Sequence, residues 1–267
     1  MTEEVPLANP QPDDGASRGD GAWVILPTYN EADNVAAIAA AILEALPGAI
    51  LLIVDDASPD GTGRLADELS AQQPQVRVLH RPAKEGLGRA YVDGFRMALG
   101  EQARVIVQMD ADWSHDPTDL PRLIEPIVGD SAELVLGSRY VAGGGVVDWG
   151  IGRRAISRGG SVFARIVLQL PAHDLTGGFK AWRADTLAGL VSRPVRAGGY
   201  VFQIEMTHRA VVAGARLVEI PIVFRDRRVG QSKMSRRIVV EALLVVVQLR
   251  LEGWSRAIGR RVKGSRR

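Results

Sequence analysis

Three short, largely apolar runs, each broken off by a polar cluster, constrain this chain more than any other feature. Trp23-Val24-Ile25-Leu26 stops at Pro27 and opens into Thr28-Tyr29-Asn30-Glu31. Ile50-Leu51-Leu52-Ile53-Val54 runs into Asp55-Asp56, and Val105-Ile106-Val107-Gln108-Met109 runs into Asp110-Ala111-Asp112. An apolar run this short, without alternation, is a strand covered on both faces. Helical spacing fills the intervals at Asn34–Leu46, Gly63–Gln73, Gly88–Leu99 and Pro117–Val128, with further strands expected at Val76–Leu79 and Glu133–Gly137. Strand and helix alternate, which predicts an α/β protein with a mainly parallel sheet and helices on both faces. Ligands of such sheets sit beyond the carboxyl ends of the strands. The three polar clusters stand at those ends.

The second half is less regular. Gly143-Gly144-Gly145 reads as a flexible loop, Ala155 to Leu170 as an amphipathic helix and Leu217 to Phe224 as a strand. No internal repeat or domain linker is visible. Residues 1–21 are acidic and poor in large apolar side chains, so they read as a disordered tail; they lack the basic start and apolar run of a signal peptide. One domain is expected over 22–237, an amphipathic segment over 238–254 and a basic tail over 255–267. The formal net charge of +2 hides an asymmetry, because from Arg225 onward 13 Lys/Arg face three acids. That excess of ten suits phosphate groups or an anionic membrane surface, or is a solvated tail. Ile238–Leu251 is too short to span a membrane and carries Glu241, Gln248 and Arg250, so any membrane contact is expected to be peripheral.

Cysteine is absent, which excludes disulfides and thiolate metal sites. No Gly-x-x-x-x-Gly-Lys-Ser/Thr loop is present, no Gly-x-Gly-x-x-Gly follows the first strand, and no Gly-x-Ser-x-Gly elbow or zinc spacing occurs. Asp110 and Asp112, one residue apart past a buried strand, can face one Mg²⁺ or Mn²⁺ shared with a substrate diphosphate; alternatively they form a turn with an Asp cap. Their place as the third polar strand end favours the cation. Asp55-Asp56 can accept hydrogen bonds from a base or ribose, whereas Asp60-Gly61 is turn chemistry. Arg139, Arg227 and Lys233 are candidate phosphate binders. Gly86-Leu87-Gly88 is either a close approach to a ligand or a helix start.

Together these residues resemble the family 2 glycosyltransferases of GT-A fold. The resemblance rests on Leu26-Pro27-Thr28-Tyr29-Asn30-Glu31, Val54-Asp55-Asp56-Ala57-Ser58-Pro59-Asp60-Gly61-Thr62, Lys84-Glu85-Gly86-Leu87-Gly88 and Met109-Asp110-Ala111-Asp112-Trp113-Ser114-His115, in this order. Gly137-Ser138-Arg139-Tyr140, Asp174-Leu175-Thr176-Gly177-Gly178-Phe179-Lys180, Gly199-Tyr200-Val201-Phe202-Gln203-Ile204-Glu205-Met206 and the run from Asp226 to Met234 narrow it to dolichyl- or polyprenyl-phosphate mannose synthases. The ending, without transmembrane helices, is similar to the actinobacterial type.

The resemblance implies a donor pocket of Pro27, Tyr29, Glu31, Val54, Asp56, Asp110, Ala111 and Asp112, with Arg139, Arg227 and Lys233 on the diphosphate. It implies Asp112, Arg139 and Lys233 as catalytic residues, and Asp112 leading a Mg²⁺ or Mn²⁺ site with Asp110 and Ser114. Ser114 stands where the family often has Gln. Arg139, Arg227 and Lys180 would hold the acceptor phosphate. GDP-mannose and a polyprenyl monophosphate are the expected substrates, and nucleic acid is not an expected partner. The expected location is the cytoplasm, peripheral at the inner face of the cell membrane, beside a membrane protein that consumes the product. Two other readings are a polyprenyl-phosphate glucose synthase and a non-catalytic nucleotide-sugar-binding subunit.

Overall fold

The computed structural model describes residues 17–195, 199–226 and 243–251. Its main sheet has seven strands in the order β3-β2-β1-β4-β7-β5-β8. The strands are β1 (Ala22–Thr28), β2 (Ile50–Asp55), β3 (Val76–His80), β4 (Val105–Gln108), β5 (Leu134–Ser138), β7 (Lys180–Arg183) and β8 (Leu217–Pro221). All neighbouring pairs are parallel except those of β7, which runs antiparallel to both β4 and β5. A second sheet pairs β6 (Gly145–Val146) with β9 (Val223–Phe224).

Alternate side chains of each strand enter different cores, as the period of two requires. Val24, Leu26, Leu51, Ile53 and Val107 join one cluster with α1 (Val35–Ala45), α2 (Thr62–Gln72) and α4 (Leu120–Val128). Ile25, Leu52, Val54 and Ile106 join the other, under α3 (Leu87–Gly100), α5 (Ile151–Leu168), α6 (Ala184–Val191) and α7 (Gly199–Val212). The expected three-layer architecture is therefore present. α3 lies so close to the sheet that a Cβ on Gly94 would stand 2.5 Å from Ile25 Cγ2, a contact only glycine permits.

Several expectations change. The single strand foreseen over Leu217–Phe224 is divided between the two sheets at Ile222. The helix foreseen from Pro117 begins as a 3-10 turn, Pro117–Asp119, before α4. α5 starts at Ile151, ahead of the expected Ala155. Residues 17–21 were grouped with the tail, yet they form a turn bonded to the domain: Gly48 N–H donates to Arg18 O, and Arg104 Nη2 to Asp20 O.

The far edge of the sheet, opposite the polar strand ends, is clamped by Glu133. Its carboxylate accepts from Arg216 through the backbone N (2.6 Å), Nε (3.0 Å) and Nη2 (2.6 Å), joining β5 to β8. These bonds hold the Glu133 carboxyl down to about 2. A carboxyl lower in the folded chain than in the unfolded one adds stability above its unfolded value and loses it as pH falls through the folded one. Wild type is therefore expected to lose stability between about pH 4.5 and 2 at this site. Glu133→Gln should flatten that part of a chemical-denaturation profile; an unchanged profile would remove Glu133 from the acid transition.

Candidate active site

The order β2-β1-β4 decides where the site lies. The chain moves outward from β1 to β2 and β3, then returns to β4 on β1's other side. The sheet therefore reverses its winding between β1 and β4, and a crevice opens beyond their carboxyl ends. β5 points the same way as β4, because both are antiparallel to β7. Thr28–Glu31, Asp55–Asp56, Asp110–Ser114, Ser138–Arg139 and the approach to β7, Asp174–Phe179, consequently share one edge. Three non-glycine residues at this edge adopt positive φ, one in each of the first three loops: Asn30 (61°), Ala57 (55°) and Trp113 (62°). Such conformations cost of order 1–3 kcal/mol each, persist where the surroundings enforce them, and cluster at ligand sites.

On the β2 side, Pro27 pairs with Val54 and Thr28 with Asp55. The Asp55 carboxylate is spent on the scaffold, accepting from Thr28 Oγ1 (3.1 Å), Ser58 N (3.0 Å) and Ser58 Oγ (2.6 Å). Asp56 pairs with Arg81, whose buried guanidinium also donates to Asp93 and Glu85. Lys84 Nζ lies 3.4 Å from the Tyr29 ring centroid, a cation–π contact at the pocket rim. Glu31 follows β1, its Oε2 accepting from Asn34 Nδ2 (2.7 Å). The Val54 side chain, expected in the donor pocket, is wholly buried and packs toward Gly94. Gly86 caps the start of α3, which settles the Gly86-Leu87-Gly88 ambiguity in favour of a helix start.

On the β4 side, Asp110 Oδ1 accepts from Tyr91 OH at 3.0 Å, and Asp112 Oδ1 accepts from Ser114 N at 3.1 Å. Burial, and then the Asp110 charge, push the Tyr91 phenol well above its ordinary range, so it stays a donor. Asp110 N donates to His115 Nδ1 (3.2 Å), which fixes the Nε2–H tautomer. Burial lowers the His115 pKa, and the ring stacks on Phe179 at 4.9 Å.

A divalent cation fits this corner. Ser114 Oγ is buried beside Asp112 without a hydrogen-bond partner. No group of three or more His, Asp or Glu able to hold a metal ion by itself occurs among the described residues. One or two carboxylates, with substrate phosphates completing the shell, is how Mg²⁺ is ordinarily held. Arg225 N donates to Ser114 O (3.2 Å), and Arg153 Nη1 holds both Asp226 oxygens at 2.7 and 2.8 Å. The chain leading to Arg227 and Lys233 thus starts at the cation corner, while Arg227 and Lys233 themselves lie outside the described residues.

Two expected phosphate binders are placed differently. Arg139 is 5% exposed, and its Nε and Nη2 grip Asp174 at 2.6 and 2.7 Å. Burial raises the Asp174 carboxyl, but Arg139 more than reverses this and brings it below its ordinary value. The Arg139 fork therefore serves the Asp174 loop in this structure instead of standing open to a phosphate. Lys180 is 0% exposed, and its Nζ donates to Gln203 O (2.8 Å) and Thr207 Oγ1 (2.9 Å). Burial lowers its pKa to about 7. Lys180 is a sheet-to-α7 tie, not an acceptor-phosphate ligand. Sequence reasoning gave no role to Tyr91, Arg81, Asp174 or Gln203. Asp174 and Gln203 lay inside the quoted motifs, whereas nothing in the sequence singles out Arg81.

Residues 23–189 match the family described as glycosyl transferase family 2. This chain belongs to that family. It is 47% identical to the undecaprenyl-phosphate mannosyltransferase of Micrococcus luteus over 84% of this chain and 91% of the relative. It is 43% identical to the polyprenol monophosphomannose synthase of Mycolicibacterium smegmatis, over 86% and 87%. Among solved structures, glucosyl-3-phosphoglycerate synthase from Mycobacterium tuberculosis, in complex with Mn²⁺, uridine diphosphate and phosphoglyceric acid, superposes with a TM-score of 0.64. It is 19% identical and the match covers 87% of this chain and 79% of that one, a likeness of fold. The fold is GT-A, and the chain is a glycosyltransferase.

Proposed function

We propose that this enzyme transfers mannose from GDP-mannose to a polyprenyl monophosphate with the help of Mg²⁺ or Mn²⁺. The observation that carries this reading is the likeness, across most of the chain, to two enzymes named for mannosyl transfer to polyprenyl phosphates. The donor would lie in the crevice, its nucleotide between Pro27, Tyr29, Glu31 and Asp56 and its diphosphate toward Asp110, Ala111 and Asp112. A bound divalent cation would neutralise charge on the leaving diphosphate. Asp112 would hold it, with Ser114 Oγ and Asp110 nearby.

A phosphate monoester is largely dianionic at neutral pH, its second pKa being about 6. One of its oxygens can form the new bond to the anomeric carbon as the bond to the diphosphate oxygen breaks, with no proton to remove. No general base is then needed for the acceptor. The enzyme's contribution is alignment and neutralisation of two anions. Arg227 and Lys233 are proposed for those anions on the resemblance, and Arg225, which precedes them in sequence, donates from N to Ser114 O. Attack opposite the leaving group inverts the anomeric centre.

A lipid acceptor requires contact with a membrane surface. No described helix is long and apolar enough to cross a membrane. Ile151, Ala155, Val162 and Ile166 fall on one exposed side of α5, and Ile151 is 89% and Ile166 69% exposed. Arg154, Arg158 and Arg165 flank this stripe. Residues 243–251 bury Val246 and Leu249 in the core while exposing Leu244, Val247 and Leu251. Apolar contacts edged by arginine suit an anionic bilayer surface, which supports peripheral binding; the cytoplasmic face, near a membrane protein that consumes the product, is the proposed location. Substituting both Ile151 and Ile166 by Glu should abolish flotation with phosphatidylglycerol vesicles; undiminished flotation would remove α5 from the interface.

The reading of mannose over glucose is tested by competing GDP-mannose and UDP-glucose for one polyprenyl phosphate. Transfer from GDP-mannose supports it, and transfer from UDP-glucose alone would replace it with the glucose synthase alternative.

A further inference from the structure

Gln203, on α7, ends a chain of hydrogen bonds whose direction has one solution. The Trp182 indole N–H can only donate, and it lies 2.6 Å from Gln108 Oε1. Gln108 Nε2 is therefore the group that faces Gln203, and it donates to Gln203 Oε1 at 3.4 Å. Turning either amide would set donor against donor. Gln203 Nε2 is thus forced to point away from this chain. It is buried, in a residue 3% exposed, and has no hydrogen-bond partner among the described residues. A buried donor left unmade is costly, so its acceptor is to be sought in a ligand.

Gly178 borders the space beside this amide. A Cβ on Gly178 would stand 3.5 Å from Gln203 Nε2, and 3.4 and 3.5 Å from the two carboxylate oxygens of Asp110. The bare glycine thus keeps open the ground that Gln203 and Asp110 share. A carboxylate only accepts hydrogen bonds, and an amide nitrogen only donates them. A hydroxyl satisfies both at once. A phosphate oxygen does not, since it offers Asp110 no proton. A carboxylate has about four lone-pair sites and can accept several hydrogen bonds at once.

We propose that Gln203 is a specificity-determining residue, which donates from Nε2 to a ring hydroxyl of the donor sugar while that hydroxyl donates to Asp110. The inference rests on the site being a nucleotide-sugar site, and not on which sugar it takes. It assigns to the Trp182–Gln108–Gln203 chain the task of fixing the amide before the sugar arrives. A site that hydrogen-bonds a hydroxyl in this way rejects an analogue lacking it far more strongly than an apolar pocket rejects a missing methylene.

The test is calorimetric titration of wild type, Gln203→Met and Gln203→Glu with GDP, GDP-mannose, UDP and UDP-glucose, all with Mn²⁺. In wild type the sugar should tighten binding of whichever nucleotide is accepted. Gln203→Met should weaken the sugar nucleotide by about tenfold or more and leave the bare nucleotide within about twofold. Gln203→Glu keeps the contact from Gln108 and the size of the side chain, yet replaces the donor by an acceptor, so it should lose as much. One monodeoxy analogue of the accepted sugar should bind weakly to wild type and no more weakly to Gln203→Met. Equal weakening of nucleotide and sugar nucleotide, no weakening of either, or no sugar increment in wild type would each overturn the proposal. Preference for the uridine pair would overturn the mannose reading instead, and Gln203 would be judged on the same differences.

Discussion

Replacing Asp112 by Asn is expected to lower sugar transfer by about 10²–10³-fold while the fold survives, because the charge lost is the one proposed to hold a divalent cation against the leaving diphosphate. Asn keeps the size of the side chain and can still accept the bond from Ser114 N through its carbonyl oxygen. What it loses is the full negative charge that would hold a divalent cation against a diphosphate. The loss should fall on kcat and on the concentration of Mn²⁺ needed for half-maximal rate, with thermal stability nearly unchanged. Steady-state rates across a Mn²⁺ titration check this. Full activity of Asp112→Asn at limiting metal would take Asp112 out of the chemistry.

Asp174→Asn is expected to destabilise the fold by about 3–5 kcal/mol, the usual consequence of removing one partner from a buried ion pair. The side chains of Asp174 and Arg139 are 0% and 3% exposed. The carboxylate accepts from Arg139 N, Nε and Nη2 and from Gly177 N. The Arg139 guanidinium also lies 5.2–5.4 Å from the rings of Tyr140, Trp149 and Phe224, so little water can replace a lost counter-charge. Urea unfolding should show the loss, and a double replacement, Arg139→Met with Asp174→Leu, should recover part of it. A single variant within about 1 kcal/mol of wild type would mean that the pair is not the keystone of this loop.

The contrast between Asp112 and Arg139 shows what a sequence can and cannot convey about this site. The place of Asp112 was legible because an apolar run ending in carboxylates marks a strand end, and strand order puts that end at the crevice. Arg139 was legible as a motif residue but not in its role. Its partner, Asp174, is distant in sequence, and no local pattern says that the fork will be filled. Lys180 failed for a related reason. A lysine beside Gly177-Gly178 reads as an open cation, yet β7 turns it into the interior, where Gln203 O and Thr207 Oγ1 receive it.

The fold follows the same division. The first half repeats strand and helix with clear periods, and β1 through α4 lie close to where the periodicity puts them. β7 was invisible, being four residues with a lysine at a buried position, and its antiparallel insertion between β4 and β5 is set by tertiary pairing. α7 was equally obscure, because buried Gln203, Glu205 and Thr207 interrupt its apolar side. Those same interruptions carry the unpaired donor of Gln203. Where local pattern is overridden by distant partners, function is a frequent reason.

The most direct test of the account is transfer itself. Full-length protein is incubated with radiolabelled GDP-mannose, a polyprenyl monophosphate and Mg²⁺ or Mn²⁺, and the lipid is extracted. The account predicts label in the organic phase that disappears with EDTA. Label confined to the aqueous phase, with the protein folded and the acceptor dispersed, would contradict it.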